Sequence, residues 1–133
     1  MIYELHDYFL TRVTVKKDKL IFHLPGGFYA VNDKAKKIKP QKLIFTIDKG
    51  KYDIKDFISV RISKTTNGGN KVWKSVSLRK LTYLLKKGAL IFFDEYESKA
   101  TNAKWFVLNT SAEHKAHFNI EVLIHDIKEV ECE

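Results

Sequence analysis

Residues 9–24 read FLTRVTVKKDKLIFHL, and this stretch establishes the class of fold to expect. In a strand over FLTRVTV (9–15), Phe9, Val13 and Val15 share one face and Arg12 and Thr14 share the other. In LIFHL (20–24), Leu20, Phe22 and Leu24 share one face, and the polar run KKDK (16–19) separates the two segments. Alternation with period two is typical of strands buried on one face, and a short polar link between two such runs indicates a β-hairpin. The stretch therefore predicts two antiparallel strands near the start of the chain.

Most of the remaining sequence carries similar strand patterns. Apolar runs between polar or glycine-containing connections predict further strands at FYAV (28–31), KLIFTID (42–48), ISVRIS (58–63), KVWKSVS (71–77), ALIFFDEY (89–96), AKWFVLN (103–109) and FNIEVLIHDIKEV (118–130). TTNGGN (65–70) contains Asn-Gly-Gly, which adopts positive φ easily and predicts a second hairpin. NDKAKKIKPQ (32–41) has four lysines and no apolar period, so it is predicted to be an exposed loop.

One segment has the period of an α-helix instead. In LRKLTYLLKK (78–87) the four leucines fall at spacings that place them on one face of a helix. Ser77 precedes the segment as a candidate N-cap, and Gly88 follows it as a candidate C-terminal stop. The leucine face predicts packing against the core, and Arg79, Lys80 and Lys86 lie on the opposite face.

The sum is an α+β chain that is mostly β, with about eight strands and one helix over about 78–87. Short connections favour antiparallel neighbours, in a strongly bent sheet or a partly open barrel whose opening the helix covers. The 133 residues predict a single domain spanning 1–133. The sequence starts without a signal-peptide pattern, contains no apolar run of roughly 18 residues, and has one cysteine, Cys132. These features predict a cytoplasmic protein without a membrane span or an internal disulfide.

The net charge of +8 is unevenly distributed along the chain. Residues 1–87 contain 20 Lys and Arg against 7 Asp and Glu, a balance of +13, whereas residues 88–133 contain 4 against 9, a balance of −5. A basic region of this kind suits an anionic partner or a lysine-rich solvated surface. Only three of the positive residues are Arg, the residue best suited to bidentate recognition of phosphates and bases.

Two His-Asp pairs raise the possibility of metal or acid–base chemistry. They are His6-Asp7 and His125-Asp126, and either could contribute to a small metal-dependent hydrolase. Adjacent residues on a strand point to opposite faces, however, and no third ligand has suitable spacing. We therefore interpret His6-Asp7 as the entry to the first strand and His125-Asp126 as a bulge or a strand end. Without a phosphate-binding glycine loop or a nucleophile motif, we expect no catalytic residue, bound metal or cofactor.

Nucleic-acid binding is an alternative that the basic residues support. Aromatic side chains lie among the lysines, and a curved sheet with this composition can stack bases and contact phosphates. The candidate residues are Lys34, Lys36, Lys37, Lys39, Lys42, Tyr52 and Trp73. They predict binding of single strands through the basic loop 34–42 and exposed aromatic side chains.

The segment ELHDYFLTRVTVKKDKLIFHLPGGFYAV (4–31) resembles the opening of a group of small bacterial proteins. These proteins begin with a Leu-His-Asp element, continue into a hairpin, and then carry a Gly-Phe-Tyr or Gly-Phe-Trp segment. Several similar proteins are grouped with the immunity proteins of polymorphic-toxin systems. The resemblance covers about a fifth of the chain. It implies a small, mostly β, non-enzymatic protein that binds a toxin domain and blocks its active site.

An inhibitor of a nucleic-acid-cleaving toxin competes with phosphates, which favours an acidic binding surface. The acidic cluster Asp94, Glu95 and Glu97 is the candidate surface for such a protein partner. Alternation places Glu95 and Glu97 on one face of the strand and Asp94 on the other. The oligomeric state is open between monomer and homodimer, because an exposed edge strand can pair with a second copy.

Overall fold

A computed structural model describes residues 2–65 and 71–133, apart from the side chain of Thr65. These residues form thirteen strands, one α-helix (α1) and one 3-10 helix, Ile54–Phe57. The helix α1 spans Leu78–Lys87. The strands, in chain order, are β1 (Ile2–Glu4), β2 (Phe9–Leu10), β3 (Arg12–Lys16), β4 (Lys19–His23), β5 (Tyr29–Val31), β6 (Lys37–Ile38), β7 (Lys42–Ile47), β8 (Ile58–Thr65), β9 (Lys71–Val76), β10 (Leu90–Ser98), β11 (Ala103–Thr110), β12 (Asn119–Ile124) and β13 (Ile127–Cys132).

The strands form three antiparallel sheets. The large sheet has the order β2-β10-β11-β12-β8-β9, the four-stranded sheet has the order β13-β7-β4-β3, and the small sheet has the order β1-β5-β6. The predicted α+β, mostly β class with one helix is confirmed. The strands in the described residues number thirteen rather than about eight, and none of their three sheets closes into a barrel.

Four phenylalanines fill the space between the large and the four-stranded sheet. Phe22 and Phe45 come from the four-stranded sheet, and Phe92 and Phe106 come from the large sheet; all four are almost completely buried. The ring centroid of Phe106 lies 5.3 Å from that of Phe22, 5.6 Å from that of Phe45 and 5.8 Å from that of Phe92. Edge contacts of this kind stabilise a core beyond the area that the rings bury. The two sheets therefore pack face to face around Phe106.

The helix α1 closes one side of this core as the leucine spacing predicts. Ser77 caps it by accepting a hydrogen bond from the Lys80 backbone N–H at 3.2 Å, and the helix contacts β3 and β8. Gly88 ends the helix in extended backbone (φ 165°), so positive φ does not explain the glycine. A Cβ at this position would lie 2.7 Å from the Glu113 Cβ and 3.0 Å from the His114 ring. Gly88 is needed because the chain passes close to that loop.

Both His-Asp pairs lie where the chain passes from one sheet to another. Asp7 (φ 69°) lies in the turn between β1 and β2, and Asp126 (φ 53°) lies between β12 and β13. Asp adopts this left-handed conformation more readily than most residues because its short side chain can bond to nearby backbone. The single strand predicted over 118–130 is wrong, because Asp126 divides it into strands of two different sheets.

The single strand predicted over 9–15 is also wrong, because Phe9–Leu10 (β2) pairs with β10 of the large sheet, whereas Arg12–Lys16 (β3) pairs with β4 of the four-stranded sheet. Phe9 is therefore exposed, although the sequence placed it on the same face as the buried Val13.

The other strand predictions are largely confirmed. β3 and β4 pair from Arg12↔His23 to Lys16↔Lys19, and β8 pairs with β9. The turn predicted within 65–70 falls on residues 66–70, which lie outside the described residues. The predicted loop 32–41 contains the short strand β6, which pairs with β5. Among the described residues, no helix has the length and apolar character that a membrane crossing requires.

Phe106→Ala tests the importance of the aromatic core. Truncating this buried ring leaves a cavity that three other rings line, so we expect the free energy of unfolding to fall by about 3–5 kcal/mol. Urea unfolding followed by tryptophan fluorescence measures the change. Phe93→Ala is the matched control, because Phe93 is exposed on the same sheet; its effect should stay within about 0.5 kcal/mol. Equal losses in the two variants would contradict this account.

His23 makes the stability depend on pH. Burial, followed by the charges of Arg12 and Lys42, lowers the pKa of His23, whose Nε2 lies 2.9 Å from the Thr14 hydroxyl. The unfolded chain therefore binds the proton first as the pH falls below about 6.5, so this contribution to stability is lost as the pH falls toward the folded pKa. We expect the unfolding free energy of the wild type to decrease more than that of His23→Gln between about pH 7.5 and 5. Identical pH profiles would refute this role of His23.

Candidate functional site

A β-bulge interrupts β10, the strand that lies next to the short edge strand β2 of the large sheet. Phe92 pairs with Leu108, but the next paired residue, Asp94, pairs with Val107, so Phe93 is an extra residue in the ladder. A bulge interrupts the alternation of a strand and can turn two successive side chains toward the same face. Here both Phe93 and Asp94 are exposed, while Phe92 points into the core. The bulge thus places an aromatic ring and a carboxylate side by side on the outer surface.

Three further aromatic side chains lie exposed on neighbouring positions of this sheet. Tyr96 follows Phe93 on β10, Trp105 pairs with Tyr96 across the ladder, and Phe9 pairs with Ile91 from the edge strand β2. The Tyr96 and Trp105 ring centroids are 5.2 Å apart. The exposed fractions are 52% for Phe9, 53% for Phe93, 50% for Tyr96 and 36% for Trp105. We refer to these four residues together with Asp94 as the aromatic face.

Hydrogen bonds hold Asp94 in place within the aromatic face. Its Oδ2 accepts the Tyr96 hydroxyl at 2.8 Å, and its Oδ1 accepts the Glu95 backbone N–H at 2.8 Å. The bond from Tyr96 is the main cause that lowers the pKa of Asp94, and the same bond raises the pKa of Tyr96. At neutral pH the aromatic face therefore presents a fixed carboxylate between Phe93 and Tyr96.

A partly buried ionic cluster supports the same strands from the inner side of the sheet. The Lys104 ammonium on β11 donates to the Glu95 Oε1 at 2.8 Å and to the Tyr3 hydroxyl at 2.6 Å, and that hydroxyl donates to the same Glu95 oxygen at 2.6 Å. The side chains of Lys104 and Glu95 are 14% and 25% exposed. Burial and the Glu95 carboxylate raise the pKa of Tyr3, so its hydroxyl stays protonated. The cluster connects β1 of the small sheet to the β10–β11 hairpin.

The three acidic residues predicted to contact a protein partner have different surroundings. Asp94 lies on the outer face, Glu95 is bound to Tyr3 and Lys104, and Glu97 is half-exposed at 3.9 Å from the Lys104 ammonium. Only Asp94 belongs to the aromatic face, while Glu95 and Glu97 pair with inner positions of β11. The carboxylate available beside exposed aromatic rings is thus that of Asp94.

The residues predicted to bind nucleic acid are distributed over all three sheets and their connections. Lys34, Lys36, Lys37 and Lys39 lie in or next to the β5–β6 hairpin of the small sheet, and Lys42 begins β7. Tyr52 precedes the 3-10 helix that leads into β8 at Ile58, whereas Trp73 pairs with Ser63, five residues further along β8. This separation corresponds to about 17 Å along the strand. Tyr52 and Trp73 therefore lie apart, and within the described residues no contact joins either of them to the lysines of the loop; they contact Lys49 and Arg61 instead.

The His-Asp pairs serve as turns rather than as parts of a ligand cluster. His6 and Asp7 are both exposed, with the His6 Nδ1 3.0 Å from an Asp7 carboxylate oxygen, and the backbone N–H of His125 donates to the Phe57 carbonyl. In the residues that the structure describes, no three His, Cys, Asp or Glu side chains are grouped so that they could hold a metal ion.

Sequence reasoning missed the aromatic face and the ionic cluster. The doubled Phe92-Phe93 within an alternating strand was the available signal, since one of two adjacent rings has to leave the core unless both faces are covered. The ionic cluster has no local signal, because Tyr3 and Lys104 lie about a hundred residues apart in the chain. Such a contact can be identified only when the packing of the small sheet against the large sheet is known.

Lys104→Met tests the ionic cluster. The substitution leaves the partly buried Glu95 carboxylate with one donor fewer, so we expect the free energy of unfolding to fall by about 1–3 kcal/mol. Lys99→Met removes an equal charge at an exposed position of the adjoining turn and should have little effect. In a double-mutant cycle with Glu95→Gln, the two losses should be less than additive. Additive losses would show that Lys104 and Glu95 do not interact.

Comparisons with known proteins identified no relative of this chain. No protein-family model matches the chain, and neither a curated protein nor a solved structure is significantly similar to it. The function must therefore be argued from the chemistry of the chain's own surfaces.

Proposed function

We propose that this chain is a non-enzymatic protein-binding module of the immunity type, acting in a bacterial cytoplasm, and that the aromatic face contacts its partner. The observation that carries the proposal is that four exposed aromatic side chains and the Asp94 carboxylate lie on the adjacent strands β2, β10 and β11, with Tyr96 in contact with both Asp94 and Trp105. Exposed apolar groups scattered singly need no explanation, but contiguous ones on a folded protein mark interaction sites.

The composition of the aromatic face suits a protein partner. Tyr and Trp are enriched among the residues that dominate binding energies, because they bury large areas and lose little conformational entropy. The Tyr96 ring already contacts the Trp105 ring, and its hydroxyl is already bound to Asp94. Both side chains are therefore partly ordered before binding, which reduces the entropy that association costs.

The Asp94 carboxylate indicates which charge the partner surface should carry. A toxin that cleaves nucleic acid binds phosphates with basic side chains, and a fixed carboxylate flanked by rings can occupy such a basic site. Asp94 remains ionised at neutral pH, because its hydrogen bonds lower its pKa. A basic groove on a toxin domain is therefore the complementary partner surface.

Single-stranded nucleic-acid binding through the 34–42 loop is the weaker alternative. It requires the loop lysines, Tyr52 and Trp73 to act on one ligand. The described residues place these groups on different sheets or at different ends of one strand. No comparable separation weakens the aromatic face, whose members lie on adjacent strands.

Truncation of the aromatic face tests the proposed function. We expect Phe93→Ala and Trp105→Ala each to weaken binding to the toxin domain encoded by the adjacent gene by at least about tenfold, because exposed aromatic anchors carry much of an interface's energy. Calorimetric titration with an inactivated toxin measures the affinity. Tyr52→Ala is the matched control, since Tyr52 is exposed but lies elsewhere.

The charge of Asp94 is tested separately. Asp94→Asn keeps an oxygen that can accept the Tyr96 hydroxyl but removes the charge, so it should slow association at low salt more than at high salt. The proposal fails if the neighbouring gene product does not bind the wild type. It also fails if binding is unaffected by loss of the Phe93 and Trp105 rings.

A further inference from the structure

A second surface of the molecule has the opposite charge. Between Asp56 and Asp94 the chain contains eight Lys and Arg residues and no Asp or Glu. The helix α1 lies within this segment and has no acidic residue in its first turn, although an acidic residue there would be favourable. The charge of this region is therefore not balanced from within its own segment.

The positive side chains of α1 gather on its outer face. Arg79, Lys80, Lys86 and Lys87 fall within about 120° of the helix circumference, given 3.6 residues per turn. The same arc contains Tyr83, which is half-exposed. On the opposite side, Leu81, Leu84 and Leu85 are buried against the core. We refer to the four cations together with Tyr83 as the basic face.

The cations of the basic face lack acidic partners. Elsewhere Lys19, Arg61 and Lys104 each pair with a glutamate, but in the described residues none of the four cations of the basic face forms an ion pair. The ammonium groups of Lys80 and Lys87 instead lie 5.0 Å and 5.2 Å from the centroid of the Tyr83 ring. Gathering like charges on one helix face costs free energy, which an anionic ligand would recover.

The surface next to the helix also carries cations, together with hydroxyl groups. A depression between α1 and β3 is lined by Arg12 and Lys86 together with the hydroxyl-bearing residues Thr11, Thr14 and Thr82. Val13 and Leu85 complete its lining, and no carboxylate from the described part of the chain takes part in it. Cations and hydroxyls are the side chains that contact phosphate oxygens in protein–nucleic acid complexes. The depression therefore continues the basic face toward β3.

We propose that the basic face, with the adjoining depression, binds single-stranded nucleic acid without sequence specificity. The cations contact successive phosphates. As the Lys80 or Lys87 ammonium moves from the Tyr83 ring to a phosphate, a base takes its place against that ring. Stacking of bases on aromatic rings within a positive groove is the usual way in which single strands are held. A duplex satisfies this surface less well, because its bases are already stacked and offer no face to Tyr83.

A membrane surface is a poorer match for the same residues. A basic amphipathic helix binds lipid by burying its apolar face in the headgroup region. The apolar face of α1 is already buried in the protein core, so only its charges remain for contact. The proposal is also independent of the aromatic face, and Trp105→Ala should leave it unaffected.

Fluorescence anisotropy with a labelled oligothymidylate of about 20 nucleotides tests the proposal. The wild type should bind at about 50 mM salt and weaken steeply by about 200 mM. Arg79→Glu combined with Lys86→Glu should lower the affinity more than tenfold, and should reduce the slope of log K against log salt by roughly 1.4 if two phosphate contacts are lost. Lys34→Glu with Lys36→Glu is the matched control, since it changes the net charge equally on the small sheet.

Tyr83→Ala separates stacking from electrostatics. It leaves every charge in place, and the loss of one stacked base should weaken binding roughly 5- to 150-fold. An unlabelled duplex of the same length, polyglutamate and phosphatidylserine vesicles serve as competitors, and each should compete less well than the single strand. In the wild type, saturating oligonucleotide should protect Lys80, Lys86 and Lys87 from acetylation, a measurement that does not depend on the folding of any variant.

Several outcomes would overturn the proposal. They are an absence of binding at low salt, equal losses in the two double charge reversals, an unchanged affinity in Tyr83→Ala, and competition by duplex, polyglutamate or vesicles as strong as that by the single strand. Unprotected lysines on the helix would overturn it as well.

Discussion

The contact of Phe106 with three other phenylalanine rings holds the two principal sheets together. Phe22 and Phe45 lie in the four-stranded sheet, while Phe92 and Phe106 lie in the large one. Because each ring stands on a strand, the contacts require the two inner faces to oppose each other at these positions. This leaves the outer face of the large sheet without a role in the core. It also leaves the side between β3 and β8 open, and α1 closes it with three buried leucines.

The sequence predicted those elements whose period and boundary signals agree. The hairpin of β3 and β4 has a polar turn between two strands with one buried face each, and helix 78–87 has a serine cap and one leucine face. The incorrect predictions of strands share a physical cause. Residues 118–130 are apolar on both sides of His125-Asp126, so their pattern cannot report that Asp126 turns the chain into another sheet. The strand β6 has two residues and is defined by its pairing with β5 rather than by its composition.

Prediction of the candidate site was limited in the same way. The charge imbalance between 1–87 and 88–133 was visible in the sequence, but the position of each charge was not. Alternation correctly placed Asp94 on one face of β10, and Glu95 and Glu97 on the other face. It could not show that Glu95 is bound to Tyr3 and Lys104, because those contacts depend on how the small sheet meets the large one. The lysines of loop 34–42 looked like the densest basic patch, yet α1 gathers its cations on one helix face beside an exposed ring.

The aromatic face gains its binding potential from the rigidity of the strands beneath it. β10 and β11 pair over eight residue pairs, so an exposed ring on this ladder keeps its backbone position during association. The bulge at Phe93 alone would weaken the ladder locally. Two sets of contacts lie between the bulge and the turn that joins β10 to β11. Asp94 contacts Tyr96 on the outer face of the sheet, and Glu95 contacts Lys104 and Tyr3 on the inner face. Since both sets act within four residues of Phe93, the bulged segment is held from both faces of the sheet.

Immobilising side chains is a principal cost of association. Because contacts already order the Tyr96 and Trp105 rings, this surface retains more of its contact energy as affinity than an equally aromatic loop would.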